Sequence, residues 1–534
     1  MTKAEQIKYN DLKAKYETEK NKSKQLREKL DEQKEKFGKE IKNANEKIDR
    51  IYSNFLNSQK KEEELKSKKK ECEKEIKELK KKLSELENAL LDEKSKLMKN
   101  SENSSKPSST EPYRVTNNRT TSGKNKGGQK GREGKTLNKA EKVDKIINVV
   151  GRRKCSCGGK IIYSNEYIEK QIKDIIVRAN VIAYRYHTGK CIKCGKIYRT
   201  EIPDKHQNPI SYSSRVKSLI ALFADDANVS TKTSKELMKE ITNADIDISM
   251  GNVHNVTRQI AKRGKEIVDR IEEYLKKAKI ANADETTVKI GNKLGCCINF
   301  SSENYVLYKM YENKSKESFD EFGVFSEFKG ILVHDHNQMY YKYIAITHAE
   351  CNVHILRYLL YYIELFKRES IIKFRTFLMN IYKEKLDAIA EGKKGLSTER
   401  IEEIEKEYLN LLEEWKKEYE KDISKYEKLP KAYREERNLF TRLIEYKEEH
   451  LLFVKNFEVP FSNNKAELLL RGLKLKMNVS KRFGKIERAK EFAVVKSIAT
   501  TAKRMGLNVC KIFEEILDGN QENVLKKFKL MEST

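Results

Sequence analysis

No run of about 18 apolar residues occurs in this chain, and its opening residues, MTKAEQIKYN, hold no apolar signal core. Neither a membrane span nor a secretory leader is therefore expected. Cysteine is sparse for a disulfide scaffold: nine in 534 residues, four of them in two close pairs, which reads as metal ligation in a reducing compartment. Glycine and proline are almost missing from the first 99 residues, which excludes a turn-rich fold there. Negative charge falls short of positive, with 82 Asp plus Glu against 111 Lys plus Arg and a formal net charge of +29. Such a surplus attracts polyphosphate and makes binding fall steeply with salt. Nucleic acid is the expected partner; anionic membrane is the competitor, and the missing apolar segments count against it. A soluble cytoplasmic protein of several domains is expected.

Residues 1–99 carry apolar residues at three-and-four spacing in a Lys- and Glu-rich background. Leu26, Leu30, Phe37, Ile41, Ala44, Ile48, Ile51 and Phe55 make one seam; Cys72, Ile76, Leu79, Leu83, Leu86, Leu90 and Leu97 continue it. That period predicts a coiled coil that self-associates, with a dimer favoured. A charge-laced helix folding back on its own chain is the alternative. Residues 100–140 turn to Ser, Asn, Gly and Lys and cannot form a core. Lys124, Lys126, Lys130, Arg132 and Lys135 make that stretch either a basic arm for a phosphate backbone or a plain linker.

Residues 141–210 hold a β-patterned run and the pairs Cys155/Cys157 and Cys191/Cys194, each followed by glycine. Two knuckles of this kind predict a zinc ribbon with one structural Zn²⁺, although Cys-x-Cys narrows the first bite and His187 is a substitute ligand. Residues 211–279 show helix-start signals at Ser211, Ser230 and Ser249. They predict a helical DNA reader, with Arg258 among the groove-facing residues, or a helical spacer. Asp225 and Asp226 are adjacent, so on a helix they point about 100° apart and are poor partners for one metal.

At residue 280 the period changes to that of strands. IANADETTVKI, KLGCCINFSS and YVLYKMYE read as a meander; a helical stretch, the strands KGILVHD and IAITHAE, and the helix CNVHILRYLLYYIEL follow. Three strands, a helix, a strand and another helix predict a ribonuclease H-like core over 280–366, in which the first and fourth strands adjoin. A charged helical insertion with the sole tryptophan, Trp415, spans 367–455, and 456–534 returns to the core with further helices. The fold class expected is thus multidomain and α-rich α/β.

Asp284 and Asp335 each lie by a β-rich run, and Glu467 near the start of a helix-patterned stretch. Hard oxygens brought together from separate elements would hold two Mg²⁺ or Mn²⁺ and clamp an in-line phosphoryl displacement. Arg471, Lys474, Lys481 and Arg482 follow the glutamate and suit a phosphodiester. Cys351 and His354 share a helix face at ligand spacing, but with two ligands visible they read as a structural pair orienting the second-aspartate loop.

From the basic arm to the last helix, these motifs resemble the insertion-sequence-66 type of DDE-class transposase. SGKNKGGQKGREGK is similar to that family's Lys-Gly-rich arm, and the four cysteines to its zinc module. DETTV, GILVHDHNQMYYKY, AECNVHILRYL and NNKAELLLRGLKLKMNVSKRFG are similar to its first-aspartate, second-aspartate, Cys-x-x-His and glutamate motifs. The chain departs from the pattern at His336, Asn337 and Leu468. The resemblance implies that Asp284, Asp335 and Glu467 are metal ligands. It also implies that the protein cuts and joins double-stranded DNA at element ends and target in the bacterial nucleoid, with accessory transposition proteins as further partners. A non-catalytic DNA-binding coiled-coil protein and a nuclease that hydrolyses without joining are the alternatives.

Overall fold

A computed structural model describes residues 62–100, 102–104, 138–163, 165, 167–203, 206–424, 426 and 428–531, with scattered residues between 2 and 42. Leu26, Leu30, Ala44, Ile48, Ile51, Phe55 and the arm cations Lys124, Lys126, Lys130, Arg132 and Lys135 lie outside the described residues. Two units are present. One comprises Met1–Pro112, Gly264–Asn508 and Gln521–Thr534; the other comprises Tyr113–Arg263 and Val509–Asn520. No described helix is long and apolar enough to cross a membrane.

In the second unit the expected β run is reduced to a hairpin, Thr188–Lys190 paired antiparallel with Ile197–Arg199. Residues 167–187 form no strand. Ile172 and Val181 are 93% and 92% exposed, so the apolar alternation there has no second layer to bury it and no strand is stabilised. Helices span Ser214–Ala221, Thr231–Ile241, Met250–Arg263 and Val509–Asp518. Ser230 caps the second, its hydroxyl accepting the Thr233 N–H at 3.0 Å, and Ser249 accepts the Asn252 N–H at 3.2 Å. The first helix is capped by Ser213, which accepts from Val216, and not by Ser211. Both hydroxyls precede the same apolar period, and the cap falls to the one in place to take an N–H of the first turn.

The first unit is built on a five-stranded sheet. Its strands are β1 (Ile280–Ile290), β2 (Lys293–Ser301), β3 (Val306–Tyr311), β4 (Ile331–His334) and β5 (Thr347–Glu350), in the order β3-β2-β1-β4-β5. The meander β1-β2-β3 is antiparallel, whereas β4 and β5 are parallel to β1 and to each other. Residues 295–301 of β2 are buried without alternation, because both faces are covered. On one face Val288, Cys297 and Tyr308 meet Leu470, Leu473 and Phe492. On the other, Phe300 packs edge-on against Phe325 and Phe328 at 5.5 and 5.2 Å between ring centres.

Among the unit's helices, α1 is Glu62–Met98, α2 Asn352–Phe366, α3 Glu369–Ala390, α4 Thr398–Ile423, α5 Lys431–Glu445, α6 Lys447–Lys455, α7 Asn464–Ser480 and α8 Ile486–Arg504. The charged insertion, α3 to α6, is no surface bundle. Trp415 is fully buried beside Phe374 and Phe440, its indole N–H donating to Glu436 at 2.8 Å. The same apolar core runs on to Val333 of β4 and Ala349 of β5.

The end of α1 folds back onto this unit. Tyr361 donates to the Ser95 carbonyl at 3.2 Å, Lys99 pairs with Glu435 at 2.9 Å, and Leu91 and Met98 pack on the helical core. Lys82 lies 5.6 Å over the Phe37 ring, a second contact within the chain. Leu97, expected in the seam, is 51% exposed, because the stripe rotates toward Met98 where α1 meets these helices.

Candidate active site

Parallel pairing sets the first juxtaposition. Asn282 of β1 is registered with Val333 of β4, and Asp284 and Asp335 each stand two residues further on. A two-residue step returns to the same sheet face, so both carboxylates leave neighbouring strands on one side. Glu467 comes from the first turn of α7. Asn463, just before that helix, is the pin. Its amide donates to the Ala283 carbonyl at 2.7 Å, its Oδ1 accepts from Asn282 at 2.9 Å, and its carbonyl takes the Glu467 N–H at 3.2 Å. The third carboxylate is therefore tied to the strand that carries the first.

Nothing balances the charge of this group fully. Burial pushes the Asp284 carboxyl from its ordinary 3.8 up to about 8, and the charges of Glu285, Asp335 and Glu467 add to the rise. Asp335 is driven up to about 6 by burial and Glu285, held back by the Asn337 N–H, Lys314 and Arg442. Glu285 spends its charge elsewhere. It accepts from Lys314 at 2.5 Å, Asn337 at 2.7 Å and Tyr340 at 2.6 Å. Oxygen donors, half-buried and short of positive charge, fit a hard divalent cation.

His336 and Asn337, which replace the residues usual after the second aspartate, are built into this loop. The Asn337 N–H bonds Asp335 Oδ1 at 3.2 Å while its side chain reaches Glu285. His336 bonds Glu350, at the end of β5. Glu350 is 1% exposed and also accepts from Tyr341 at 2.5 Å, from Arg442 of α5, and from His450 of α6 at 3.0 Å. Two imidazoles and a guanidinium hold its carboxyl far below the usual range against the pull of burial. Beside it, burial pushes His334 down to about 3; the imidazole stays neutral between the Asp335 carbonyl and His348, which lies 2.9 Å away.

Glu285, Glu350 and Asn463 were not singled out by the sequence. Glu285 adjoins Asp284, and Asn463 stands at a helix start, a position where asparagine is favoured. Glu350 carries no local signal, since its partners lie up to 100 residues away.

Cys351 precedes α2 and His354 lies in its first turn. Cys351 Sγ accepts the Asn463 N–H at 3.2 Å, and His354 Nδ1 is 3.8 Å from Glu467 Oε1. Arg471, Lys474, Lys481 and Arg482 are exposed on and after α7, and Arg482 donates to Asn292 at 2.8 Å. In the other unit Arg258 is exposed on its helix, and Asp225 is buried, accepting the Thr257 hydroxyl at 2.7 Å.

The cysteine pairs form two like-shaped knuckles. The Cys155 N–H bonds the Gly159 carbonyl and the Gly158 N–H returns to Cys155; the Cys191 N–H bonds Lys196 and the Gly195 N–H returns to Cys191, all at 2.8–2.9 Å. Gly158 and Gly195 have φ of 89° and 75°, a region only glycine enters freely. Amide N–H groups within each knuckle lower the Cys155 and Cys191 thiols below their usual value, as thiolate ligands require. The four sulfurs are not drawn into one cluster, however. Among the described residues the one set of three or more candidate ligands within 4.8 Å of one another is Cys351, His354 and Glu467.

The family model described as "Transposase IS66 family" matches residues 215–491, which include every residue of the carboxylate site. No curated protein matches the chain.

Proposed function

Because this chain belongs to the IS66 family of transposases, we propose that it cuts and joins DNA at a divalent-metal site held by Asp284, Asp335 and Glu467. The observation that supports this most is the convergence of neighbouring parallel strands with a helix pinned to one of them, which brings three half-buried acidic groups together with less positive charge than they carry negative. A ribonuclease H-like core is the reading of the β3-β2-β1-β4-β5 order. Bound Mg²⁺ or Mn²⁺ would supply Lewis acidity at phosphorus and a water of lowered pKa. The two aspartates serve as ionised oxygen ligands, neither attacking the substrate nor taking a covalent bond. Glu467 closes the site from α7. Arg471, Lys474, Lys481 and Arg482 extend from that helix as phosphate contacts, which orient the scissile bond without reading sequence. Cleavage at an element end frees a 3′-OH, and that hydroxyl is the nucleophile for joining to target DNA. Arg258 and the arm cations Lys124, Lys126, Lys130, Arg132 and Lys135 are read as further DNA contacts, and the two cysteine knuckles as ligands of one structural Zn²⁺. Self-association through residues 1–99 and accessory transposition proteins complete this reading.

The test is a labelled element-end fragment with Mg²⁺, with joined product measured beside cleavage. Asp284→Asn, Asp335→Asn and Glu467→Gln should each abolish both while binding the fragment as the parent does. Cleavage by Asp335→Asn at the parental rate would refute the site, and hydrolysis without joined product would reduce the protein to a nuclease.

A further inference from the structure

Cys351 and His354 have no part in the proposed strand chemistry, and the helix α7 brings them the third ligand that the sequence did not show. Cys351 Sγ, His354 Nδ1 and a Glu467 oxygen lie within 4.8 Å of one another, with Nδ1 and Oε1 at 3.8 Å. That is too long for a hydrogen bond. It is close to the edge, roughly 3.3–3.8 Å, of a tetrahedron whose ligands stand about 2.0–2.3 Å from a metal. His354 Nδ1 is shut off from water and makes no hydrogen bond. A buried nitrogen of that kind is costly unless something fills its place. Cys351 is 1% exposed and its sulfur accepts the Asn463 N–H at 3.2 Å; burial pushes the thiol up to about 11, so a bound cation would have to displace its proton. Two helix N-termini, those of α2 and α7, meet at this point and make the ligand set rigid.

We propose that Cys351, His354 and Glu467 form a binding site for one transition-metal cation of the zinc class, separate from the all-oxygen pair Asp284 and Asp335. A thiolate, an imidazole and a carboxylate suit Zn²⁺ or Co²⁺, whereas Mg²⁺ avoids sulfur. Three protein ligands leave a fourth position open to water or to a phosphate oxygen. The two sites share Glu467, and the inference rests on the proposed function only in that respect. Zinc held here fixes Glu467 on the α2 side and competes with its service to the aspartates.

Equilibrium dialysis of the full chain against Zn²⁺, with bound metal counted per chain, tests this. Cys351→Ser and His354→Gln should each hold one zinc fewer than the parent, and Glu467→Gln the same, whereas Asp335→Asn holds as many as the parent. Zinc on the Cys155, Cys157, Cys191 and Cys194 knuckles cancels in the difference. Serine keeps an acceptor for the Asn463 N–H, and far-ultraviolet circular dichroism verifies that the variants fold. Co²⁺ titration adds a direct readout: the thiolate-to-cobalt charge-transfer band should weaken in Cys351→Ser. Unchanged zinc content in both Cys351→Ser and His354→Gln would overturn the proposal, as would loss of the same zinc in Asp335→Asn. Should the zinc be lost as expected while Asp284→Asn still cleaves DNA, the carboxylate site fails and the zinc site stands. Zinc retained in the Cys351 and His354 variants alongside an inactive Asp284→Asn gives the opposite outcome, in which the carboxylate site stands and the zinc site fails.

Discussion

Glu350, fully buried, and the half-buried pair Asp284–Asp335 stand on or at the ends of adjoining strands of one sheet, β5 beside β4 beside β1, and their surroundings differ. Around Glu350 the chain has gathered His336, His450, Arg442 and Tyr341, so its charge is matched and its carboxyl held low. Around the aspartates it has gathered more acid, and their carboxyls are pushed up to about 8 and 6. A chain able to neutralise the one could have neutralised the others. The aspartates are left open at a standing cost to stability, which an external cation would offset.

The contrast would be broken most visibly by activity. Asp284→Asn should lower strand cleavage by at least about 10³-fold, the few kcal/mol that a lost metal ligand represents; Glu350→Gln should alter cleavage only as far as the loop carrying Asp335 moves. Stability comes next, with opposite signs. Glu350→Gln leaves the Arg442 guanidinium without its carboxylate partner and should cost about 3–5 kcal/mol in denaturant unfolding; a variant as stable as the parent would show that the hub around Glu350 has no structural weight. Asp284→Asn without metal should instead stabilise by roughly 2–4 kcal/mol near pH 8, at about 1.4 kcal/mol per unit of pKa, discounted for relaxation.

That sign fixes a pH dependence. Folding raises the Asp284 and Asp335 values above the ordinary 3.8, so between about 4 and 8 the folded protein keeps protons that the unfolded chain has released. Metal-free stability should therefore fall as pH climbs through that window, and level off above it. Stabilisation by Mg²⁺ should be larger at pH 8 than at pH 5, since protons compete with the cation; thermal unfolding with and without Mg²⁺ checks both. Glu350 behaves oppositely. Its contribution is present above the ordinary glutamate value of 4.5 and fades only in acid. The smallest effect expected is that of Asn463→Ala, which removes the amide bonds to Ala283 and Asn282. It should cost about 1–3 kcal/mol and lower cleavage by loosening α7, with metal affinity falling alongside.

Much of this sheet could be read from the chain, because its strands are short apolar runs separated by turn residues, and that pattern is local. The neighbouring of the first and fourth strands followed from element order. Other features depend on contacts that no local pattern records. The run over 167–187 alternates like a strand yet has no layer to cover it, and Ile172 stays in solvent. The seam at Leu97 turns outward because α1 meets the chain's own helices there. Glu467 was legible as an acid near a helix start; that it would stand beside His354 was not, since 113 residues separate them. Glu350 is the extreme case: an ordinary glutamate at a strand end until Arg442 and His450 arrive from the insertion.

The backbone leaves the site at Asn352 and comes back at Phe461, where the Asn352 N–H bonds the Phe461 carbonyl at 3.1 Å. Everything looped out between them hangs from a closed neck. Closing such an excursion depends only logarithmically on its length, so halving it changes the entropy by about 0.6 kcal/mol. Lineages could lengthen or trim the exposed loop that joins α3 to α4 with small thermodynamic penalty, provided the buried faces of those helices, with Phe374 and Trp415, are kept and α5 and α6 still deliver Arg442 and His450. The geometry of the carboxylate site and the length of that loop are thus free to evolve at different speeds.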